Sequence, residues 1–307
     1  MNMPASPYIV VIGSLNTDIG GHTSVPFKRA DSNPGRITKT YGGTGHNIAC
    51  NISLMGFPVK FITAFGDESD ELRAHCADMG LDVSESLTVP GGQSSTYLYI
   101  DDSNGEMIAA VSDMEIYSEI TVDFIKYKMD VLNGALVVVF DTNIPQETIE
   151  YIAENCTRPL VCDPVSTSKA KKLKNCLGHI AALKPNRVEA EAITGIRIPN
   201  GAAAYEAVDY LIRAGVKRVF LTLGEYGVVC ADSSGRNVVD TFISNPVDVT
   251  GSGDAFCAAV AIAMCGNIPT YTIGCLGSSA AAITAEVSGS INPALSAEKM
   301  REYMKNI

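Results

Sequence analysis

The chain has 307 residues, of which 46% are hydrophobic and 19% charged, and its formal net charge is −11. A chain of this length and composition can bury one large core. Its acidic balance argues against a nucleic-acid partner, which needs a basic face. An anionic small substrate remains compatible, because backbone N–H groups and a metal ion can hold phosphate locally.

The cysteines and the first residues of the sequence indicate the cellular compartment of the protein. Nine cysteines are scattered without a C-x-x-C pair, which is typical of the reduced thiols of a cytoplasmic protein. The stretch MNMPASPYIVVIG (1–13) lacks the charged region of a signal peptide. No apolar segment of the sequence approaches the roughly 18 residues of a membrane span. We therefore expect a cytoplasmic protein without a membrane partner.

Short apolar runs alternate with helical stretches along most of the chain. The runs that predict strands are 8–13, 59–66, 135–140, 159–163, 180–185 and 218–224. Helices are predicted at 45–56, 145–155, 187–194 and 202–214, and the chain after residue 254 is largely helical in pattern. Continuous apolar strands separated by helices indicate an α/β fold with a mainly parallel sheet, covered by helices on both faces.

Two segments break this alternation. Residues 17–41 are polar and turn-rich, and residues 94–111 predict a hairpin whose turn is DSNG (102–105). We interpret both segments as one small β-sheet, a candidate lid, projecting from the edge of a single domain that spans 1–307. Because free strand edges commonly pair with another subunit, the lid predicts a homodimer.

The stretch NPVDVTGSGDAFCAAVAIAMCG (245–266) carries the strongest chemical signal. Gly251, Ser252 and Gly253 precede an apolar helical run, so their N–H groups and the positive end of the helix predict an anion hole. Asp254 follows directly, and a carboxylate there suits a base that takes the proton of a hydroxyl during phosphoryl transfer. Read alone, G-S-G-D would more often be an ordinary capped helix start.

Two nucleotide-binding patterns fit this stretch poorly. Phe256 stands where a dinucleotide-binding G-x-G-x-x-G needs its third glycine, and the G-K-[ST] of a Walker loop is missing. The start of the chain also lacks the dinucleotide pattern, since its first strand is followed by GSLNTD (13–18). An oxidoreductase of the Rossmann type is therefore disfavoured.

A second glycine pair, Gly42-Gly43, is followed four residues later by Asn47. Together with DVTGSGD (248–254), it resembles the two signatures of the ribokinase-like (PfkB) carbohydrate kinases, with Val249 where most members have Thr. GSLNTDIGG (13–21), KPNRVEAE (184–191) and TLGEYG (222–227) are similar to further motifs of that family in the same order. The resemblance covers essentially the whole chain and implies a ribokinase-like fold with a small β-sheet lid.

The resemblance also implies a role for individual residues. Asp254 would be the catalytic base and Gly251, Ser252 and Gly253 the anion hole. The residues implied to bind the sugar or nucleoside are Asn16, Asp18, Gly42, Gly43, Asn47 and Asn143. The residues implied to bind ATP are Asn186, Thr222, Gly224, Gly227, Ser278 and Lys169.

The implied ions are Mg²⁺ and K⁺. Asn186 and Glu189, spaced i, i+3 at a helix start, face one way, and the family resemblance implies that they organise Mg²⁺ through water. Read alone, Glu189 would more often be an exposed helix charge, and Lys169 is about as often a solvated surface lysine. Carbonyl groups near Asp248 and Thr250 are implied to hold the K⁺ ion.

Within the family, ADSNPGRI (30–37), VSDM (111–114) and DPVSTSK (163–169) resemble the pseudouridine kinases. Thr44 stands where ribokinases typically carry Lys. The resemblance implies ATP-dependent phosphorylation of a nucleoside 5′-hydroxyl, with pseudouridine favoured over another nucleoside, ribose or a sugar. The turn 31–33 and the hairpin 94–111 are the predicted sources of acceptors for the base. A non-catalytic nucleoside or sugar sensor on this fold would be expected to lose the base or the anion hole.

Overall fold

A computed structural model describes residues 7–242 and 245–305; the ends of the predicted 1–307 domain lie outside the described residues. The described strands are β1 (Ile9–Ile12), β2 (Asn16–Thr23), β3 (Gly35–Gly42), β4 (Val59–Ile62), β5 (Ala64–Phe65), β6 (Leu87–Thr88), β7 (Thr96–Asp101), β8 (Met107–Asp113), β9 (Val137–Asp141), β10 (Leu160–Asp163), β11 (Ala182–Leu183), β12 (Arg218–Thr222), β13 (Val228–Asp232) and β14 (Gly235–Val239).

The helices among the same residues alternate with these strands. They are α1 (Thr44–Leu54), α2 (Asp70–Asp78), α3 (Val122–Lys126), α4 (Met129–Gly134), α5 (Gln146–Asn155), α6 (Thr167–Ala170), α7 (Arg187–Thr194), α8 (Gly201–Arg213), α9 (Ser252–Ala263), α10 (Thr270–Thr284) and α11 (Ala297–Met304). Every predicted strand and helix is confirmed in type, although the predicted strand 59–66 is divided between β4 and β5.

The large sheet has the strand order β14-β13-β12-β11-β10-β9-β1-β4. Pairing is parallel from β4 to β12. Alternate β1 side chains face opposite layers: Ile9 and Val11 pack towards α1, α9 and α10, and Val10 and Ile12 towards α5, α7 and α8. The predicted fold class, a mainly parallel sheet between helices, is thereby confirmed.

The strand order reverses between β1 and β9. From β1 the chain passes to β4 on one side and later to β9 and β10 on the other. In open parallel sheets a ligand binds beyond the carboxyl ends of the strands at such a reversal, because the connections leave the sheet in opposite directions and open a crevice there. Ile12 and Phe140 are partners in register, so Gly13 and Asp141 lie at this crevice.

A smaller sheet, which we call the lid, has the order β3-β2-β7-β8. Its strands come from the two polar segments that the sequence separates from the layers, and DSNG (102–105) forms the predicted turn between β7 and β8. β2 is antiparallel to β3 and parallel to β7. Since side chains alternate along a strand, one lid face carries Asp18, Gly20 and His22 of β2, and the other carries Ile19.

No helix in the described part of the chain is long and apolar enough to cross a membrane.

Candidate active site

A buried carboxylate organises the crevice at the strand reversal. Asp141, at the end of β9, is fully buried, and its Oδ2 accepts hydrogen bonds from the Ser14 N–H (2.8 Å), the Ser14 hydroxyl (2.8 Å) and the Gly45 N–H (2.9 Å). Its Oδ1 accepts from the Asn143 N–H at 2.8 Å. These charge-assisted bonds tie the ends of β1 and β9 to the start of α1. Sequence reasoning missed Asp141, although an Asp that closes an apolar strand is a usable signal.

Gly42 and Gly43 join the lid strand β3 to α1 where the chain is tightly packed. A Cβ on Gly42 would lie 2.3 Å from Asp18 Oδ2, and one on Gly43 would lie 2.7 Å from the Ser14 carbonyl oxygen. Gly43 also has φ 102, in the left-handed region that disfavours other residues. Because the two glycines have no side chains, the lid, the end of β1 and the N-terminus of α1 can pack closely together.

Asn16 and Asp18 stand at the base of the lid. Asn16 Nδ2 donates to Asp18 Oδ1 at 3.0 Å. Asn16 Oδ1 is buried and has no hydrogen-bond partner among the described residues. Leaving a buried acceptor unpaired costs about 1–3 kcal/mol, so this atom suits a hydroxyl of a bound ligand. Burial raises the pKa of Asp18, and the Asn16 hydrogen bond opposes that rise.

Asp254 lies in the first turn of α9, opposite α1. Its Oδ2 accepts a hydrogen bond from Asn47 Nδ2 at 2.8 Å, which joins the two predicted signatures. Burial raises the pKa of Asp254 to about 7, and the neighbouring Asp163 carboxylate adds to this, while the Asn47 hydrogen bond and the Lys184 ammonium oppose it. A carboxylate with a pKa near neutrality is suited to accept a proton.

The start of α9 has the features of an anion site. Gly251 takes φ 75, and a Cβ there would lie 2.1 Å from the Ser290 carbonyl oxygen. The first N–H groups of a helix have no intrahelical partners. Ser252 Oγ is buried and, within residues 7–242 and 245–305, also lacks a partner. The Ser252 N–H donates to the Val249 carbonyl oxygen at 3.2 Å, so the N–H groups that follow it and the Ser252 hydroxyl are the donors that fit a phosphoryl group at the predicted anion hole.

A buried ion pair that sequence reasoning did not assign lies beside this site. Lys184 Nζ is 3.0 Å from Asp163 Oδ2, with only 7% and 4% of the two side chains exposed. A Cβ on Gly253 would lie 3.1 Å from Lys184 Nζ, so the ammonium group lies against the anion hole. Burial lowers the pKa of Lys184, but Asp163 and Glu189 raise it by more, and the lysine stays charged. A lysine directly after a buried strand was the available signal.

Asn186 and Glu189 form a reciprocal capping box at the start of α7. Glu189 Oε2 accepts from the Asn186 N–H and Oε1 from Asn186 Nδ2, both at 2.9 Å. Glu189 is only 3% exposed, so the alternative of an exposed helix charge is wrong. Burial raises its pKa, with Lys184 acting against the rise. The capping box fixes the orientation of this carboxylate, and the pair fits the predicted Mg²⁺ site with contact through water.

The described residues contain no group of three or more His, Cys, Asp or Glu side chains that could hold a metal ion.

The predicted nucleotide loop adjoins this capping box. The Thr222 N–H donates to the Pro185 carbonyl oxygen at 2.9 Å, and the Leu223 N–H to the Gly227 carbonyl oxygen at 2.8 Å. Gly224 and Gly227 take φ 63 and 79, and this tight turn follows β12.

The remaining predicted ATP-binding residue, Ser278, is buried on α10.

Lys169 lies with the predicted sugar-binding residues rather than with the nucleotide loop. Its Nζ donates to Asn143 Oδ1 and is 3.8 Å from Met114 Sδ at the end of the lid, and Asn143 Nδ2 donates to Ser14 Oγ at 2.9 Å. Half-buried Lys169 is not a solvated surface lysine; burial lowers its pKa, and Asp141 acts against this. Tertiary packing thus brings α6 to the substrate side of the crevice.

The segment between β10 and α6 is strained. Val165 has φ 64, a conformation that is unfavourable for a β-branched residue and costs about 1–3 kcal/mol. Asp163 Oδ1 accepts the Val165 N–H at 2.9 Å. The carboxylate that pairs with Lys184 therefore also holds the turn that leads to Lys169.

The predicted monovalent-cation region joins two loops. Asp248 Oδ1 accepts from the Thr250 N–H at 2.9 Å, and Oδ2 from the Gly289 N–H at 3.0 Å. These bonds lower the pKa of Asp248. The carboxylate thus orders the loop ahead of the anion hole.

Fold and site together define a kinase of ribokinase-like architecture. The family model for the pfkB family carbohydrate kinases matches residues 6–297, and the chain belongs to that family. It is 34% identical over 313 residues to the pseudouridine kinase of Escherichia coli (strain K12), covering 99% of this chain and 98% of that protein.

Solved structures agree on the fold. A carbohydrate kinase from Agrobacterium tumefaciens has a TM-score of 0.86 at 26% identity, covering 97% of each chain. The ribokinase of Arabidopsis thaliana, complexed with ribose and ATP, has a TM-score of 0.84 at 22% identity, covering 97% of this chain and 99% of that one.

Proposed function

We propose that this kinase transfers the γ-phosphoryl group of ATP to the 5′-hydroxyl of a nucleoside, and that pseudouridine is its preferred substrate. The contact between Asn47 and Asp254 carries the proposal, because it sets a proton acceptor directly beside the helix start at Gly251–Gly253. The 34% identity to a pseudouridine kinase along nearly the whole chain supports the choice of nucleoside.

The site residues divide the reaction between them. Asp254 accepts the proton of the 5′-hydroxyl as that oxygen bonds to the γ-phosphorus and the bond to the departing ADP oxygen breaks. The N–H groups at the start of α9 and the Lys184 ammonium stabilise the charge on the transferred group. Mg²⁺, when held through water near Asn186 and Glu189, would neutralise phosphate charge. We also propose that a K⁺ ion binds near Asp248 and Thr250.

The ribose is expected at the base of the lid. The unpaired Asn16 Oδ1 and the half-buried Asp18 carboxylate accept the hydrogen bonds of its hydroxyl groups. Asn143 and Lys169 form the opposite wall of the ribose site. From Asp18 to His22 the strand β2 advances about 13 Å at 3.3 Å per residue, which is sufficient to cover the base.

The lid face beyond the ribose carries both aromatic and polar groups. Tyr97 and Tyr99 lie side by side with ring centroids 5.9 Å apart, and they offer a surface on which a base can stack. His22 contacts Asp101 at 3.1 Å and Thr38 Oγ1 at 2.9 Å. Pseudouridine has one ring N–H more than uridine because its base is joined through carbon. We propose that an acceptor of this lid face pairs with that N–H.

Several polar groups of the turn 31–33 are engaged within the turn itself. Asn33 Oδ1 accepts from the Lys28 N–H at 2.7 Å, and Asn33 Nδ2 donates to the carbonyl oxygens of Lys28 and Asp31. Asp31 Oδ1 accepts the Ser32 N–H. These hydrogen bonds shape the loop that joins β2 to β3, and of the two predicted sources of acceptors, this turn and the hairpin 94–111, we favour the hairpin and the strand β2 that pairs with it.

A kinase assay with ATP and Mg²⁺ tests the proposal against pseudouridine, uridine, cytidine, adenosine, inosine, ribose and fructose. An acceptor left unpaired by uridine costs about 1–3 kcal/mol, so kcat/KM for uridine should be roughly tenfold to a hundredfold lower. Equal turnover of uridine or ribose would replace the pseudouridine assignment with a general nucleoside or sugar kinase. Absence of turnover with every acceptor would favour a sensor.

We also propose a homodimer that forms through the lid. The face opposite the ribose is largely apolar, with Ile37, Leu98 and Val111 exposed by 78%, 41% and 67%, and Lys39 stands beside Ile19 on it, paired with Glu71. Register places Leu98 between Ile19 and Val111. A cluster of exposed apolar side chains on one face of a sheet is typical of a protein interface.

A further inference from the structure

A buried histidine pair lies behind the catalytic carboxylate. His46, on α1 directly before Asn47, is fully buried. Its Nδ1 is 3.2 Å from Asn47 Oδ1, and its Nε2 is 2.9 Å from Nε2 of His75 on α2. His75 in turn stacks on Tyr41 of the lid strand β3, with ring centroids 4.4 Å apart. A chain of contacts therefore runs from the lid through two imidazoles and one amide to Asp254.

When Asp254 is deprotonated, as a base must be, the hydrogen bonds assign the protons along this chain. A carboxylate only accepts, so the Asn47 atom 2.8 Å from Asp254 is Nδ2, and Oδ1 faces His46 and the Ser290 hydroxyl at 3.3 Å. His46 Nδ1 must then carry a hydrogen. Burial lowers the pKa of His46 to about 4, so the ring is neutral and its Nε2 accepts. His75 must therefore donate from its own Nε2.

The opposite tautomer would disturb the site. With the proton on Nε2, His46 would present the lone pair of Nδ1 to Asn47. A flipped Asn47 amide, with its N–H towards His46, would then be more favourable. Asn47 Oδ1 would then face the Asp254 carboxylate, and two acceptors would oppose each other. The donor on His75 prevents this, because it already occupies the single lone pair of His46 Nε2.

We propose that His46, held in its Nδ1–H tautomer by His75, is a positioning residue that keeps the N–H of Asn47 turned towards Asp254. This inference rests on the proposed role of Asp254 as the base. His46 touches neither reactant and acts through Asn47. It fixes the amide whose hydrogen bond opposes the rise in the pKa of Asp254.

The groups facing this network define its pH response. Asp254 faces the Asp163 and Asp141 carboxylates and the Lys184 ammonium, besides Asn47. His46 faces His75, and His75 faces Asp78 on its own helix. Loss of the Asn47 hydrogen bond removes an influence that lowers the pKa of Asp254. The acid limb of kcat/KM should therefore move to higher pH.

Imidazole ¹⁵N spectra of the histidine-labelled wild-type protein test the tautomers without any turnover. The chain has only four histidines, and His46→Asn assigns one of them. Between about pH 5 and 8, His46 should stay neutral with its proton on Nδ1, and His75 should carry a proton on Nε2. A proton on His46 Nε2 would overturn the inference and leave the proposed kinase function intact.

Kinetics of matched variants test the consequence. His46→Leu removes the donor, and we expect kcat to fall about tenfold, equivalent to about 1.4 kcal/mol, with the acid limb shifted upward and KM for ATP unchanged. His46→Asn carries an amide N–H where Nδ1 stood and should retain most of the activity and the wild-type profile. Equal impairment of both variants, or an unshifted profile in His46→Leu, would show that His46 only fills space.

A double variant tests whether His75 acts through His46. His75→Phe retains a ring against Tyr41 but lacks the donor, so it should shift the acid limb in the same direction by less. In a His46→Leu background, His75→Phe should lower kcat by no more than about a further twofold, because the effects of coupled residues are not additive. Full additivity would contradict the relay. If His46→Leu fails to fold, the wild-type spectra still decide.

Discussion

Two carboxylates, those of Asp163 and Asp254, and the Lys184 ammonium group set the electrostatics of the site at the residue scale. Asp163 and Asp254 share the neighbourhood of Lys184, but only Asp163 contacts it, at 3.0 Å. Asp254 has no such contact with the ammonium group, and burial raises its pKa to about 7. Unequal access to the one cation supports a structural role for Asp163 and the proposed role of Asp254 as the proton acceptor.

Asp254→Asn should lower kcat by about 10²–10⁴-fold, the usual contribution of a general base, because an amide cannot take the hydroxyl proton. ATP binding, measured by calorimetry, should be nearly unchanged. In the wild type, the base works only when deprotonated, so kcat/KM should fall as the pH falls through about 7. Near-normal turnover by Asp254→Asn would remove this residue from the mechanism.

Lys184→Met leaves Asp163 as an unpaired buried charge, which costs about 3–5 kcal/mol of unfolding free energy. It should also slow phosphoryl transfer, since the cation beside the anion hole is lost. The control is Lys184→Met combined with Asp163→Asn, which removes the charge but keeps an acceptor for the Val165 N–H, measured by urea denaturation and by kcat. Stability should recover in the double variant while activity stays low. Recovery of both would limit the lysine to a structural role.

At the scale of elements, β2 of the lid depends on two adjacent glycines with different surroundings. A Cβ on Gly20 would lie 2.6 Å from the Tyr99 ring and 2.8 Å from His22 Nε2. A Cβ on Gly21 meets nothing closer than the Tyr99 carbonyl oxygen at 3.7 Å. Only the face that carries Asp18 is crowded, and it is the face proposed to cover the base.

Gly20→Ala should therefore displace Tyr99 and lower kcat/KM for the nucleoside about tenfold, the effect expected of a misplaced positioning group. KM for ATP should not change. Gly21→Ala is the matched control, because it adds the same methyl group to the other face of the same strand, and it should behave as wild type. An unaffected Gly20→Ala enzyme would place the base elsewhere.

The elements differ in how well the sequence predicts them. β1, β9 and β10 are recognisable because strands buried on both faces must be continuously apolar. The antiparallel pair β13 and β14 at the sheet edge was missed, although Asp232 and Gly235 bound its short turn. β14 is largely exposed, so no apolar run marks it, and its place follows from pairing with β13.

At the scale of the whole molecule, the crevice is assembled from distant parts of the chain. The strand reversal brings Ser14 to Asp141, the glycine pair brings the lid to α1, and α9 brings Asp254 to Asn47. The lid has one polar face towards this crevice and one apolar face away from it. The first is proposed to bind substrate and the second a second copy of the chain.

Val111→Lys should disrupt the proposed dimer, because burying an unpaired ammonium group in an apolar interface is costly. Light scattering coupled to size exclusion should then report the mass of one chain instead of two. Tyr127→Lys, at a residue 86% exposed outside the lid, is the control and should leave the mass unchanged. A wild-type protein that is already monomeric would refute the dimer.

The sequence alone determined the layered α/β fold, the lid segments and the family, because buried strands, helix starts and tight turns each require residue types that local sequence displays. It also singled out Asp254 and Asn47. Only the tertiary structure decided that these two residues touch, that Lys169 lies with Asn143, and that Lys184 pairs with Asp163. The physical reason is that burial and charge pairing depend on neighbours from distant segments, which local patterns do not encode.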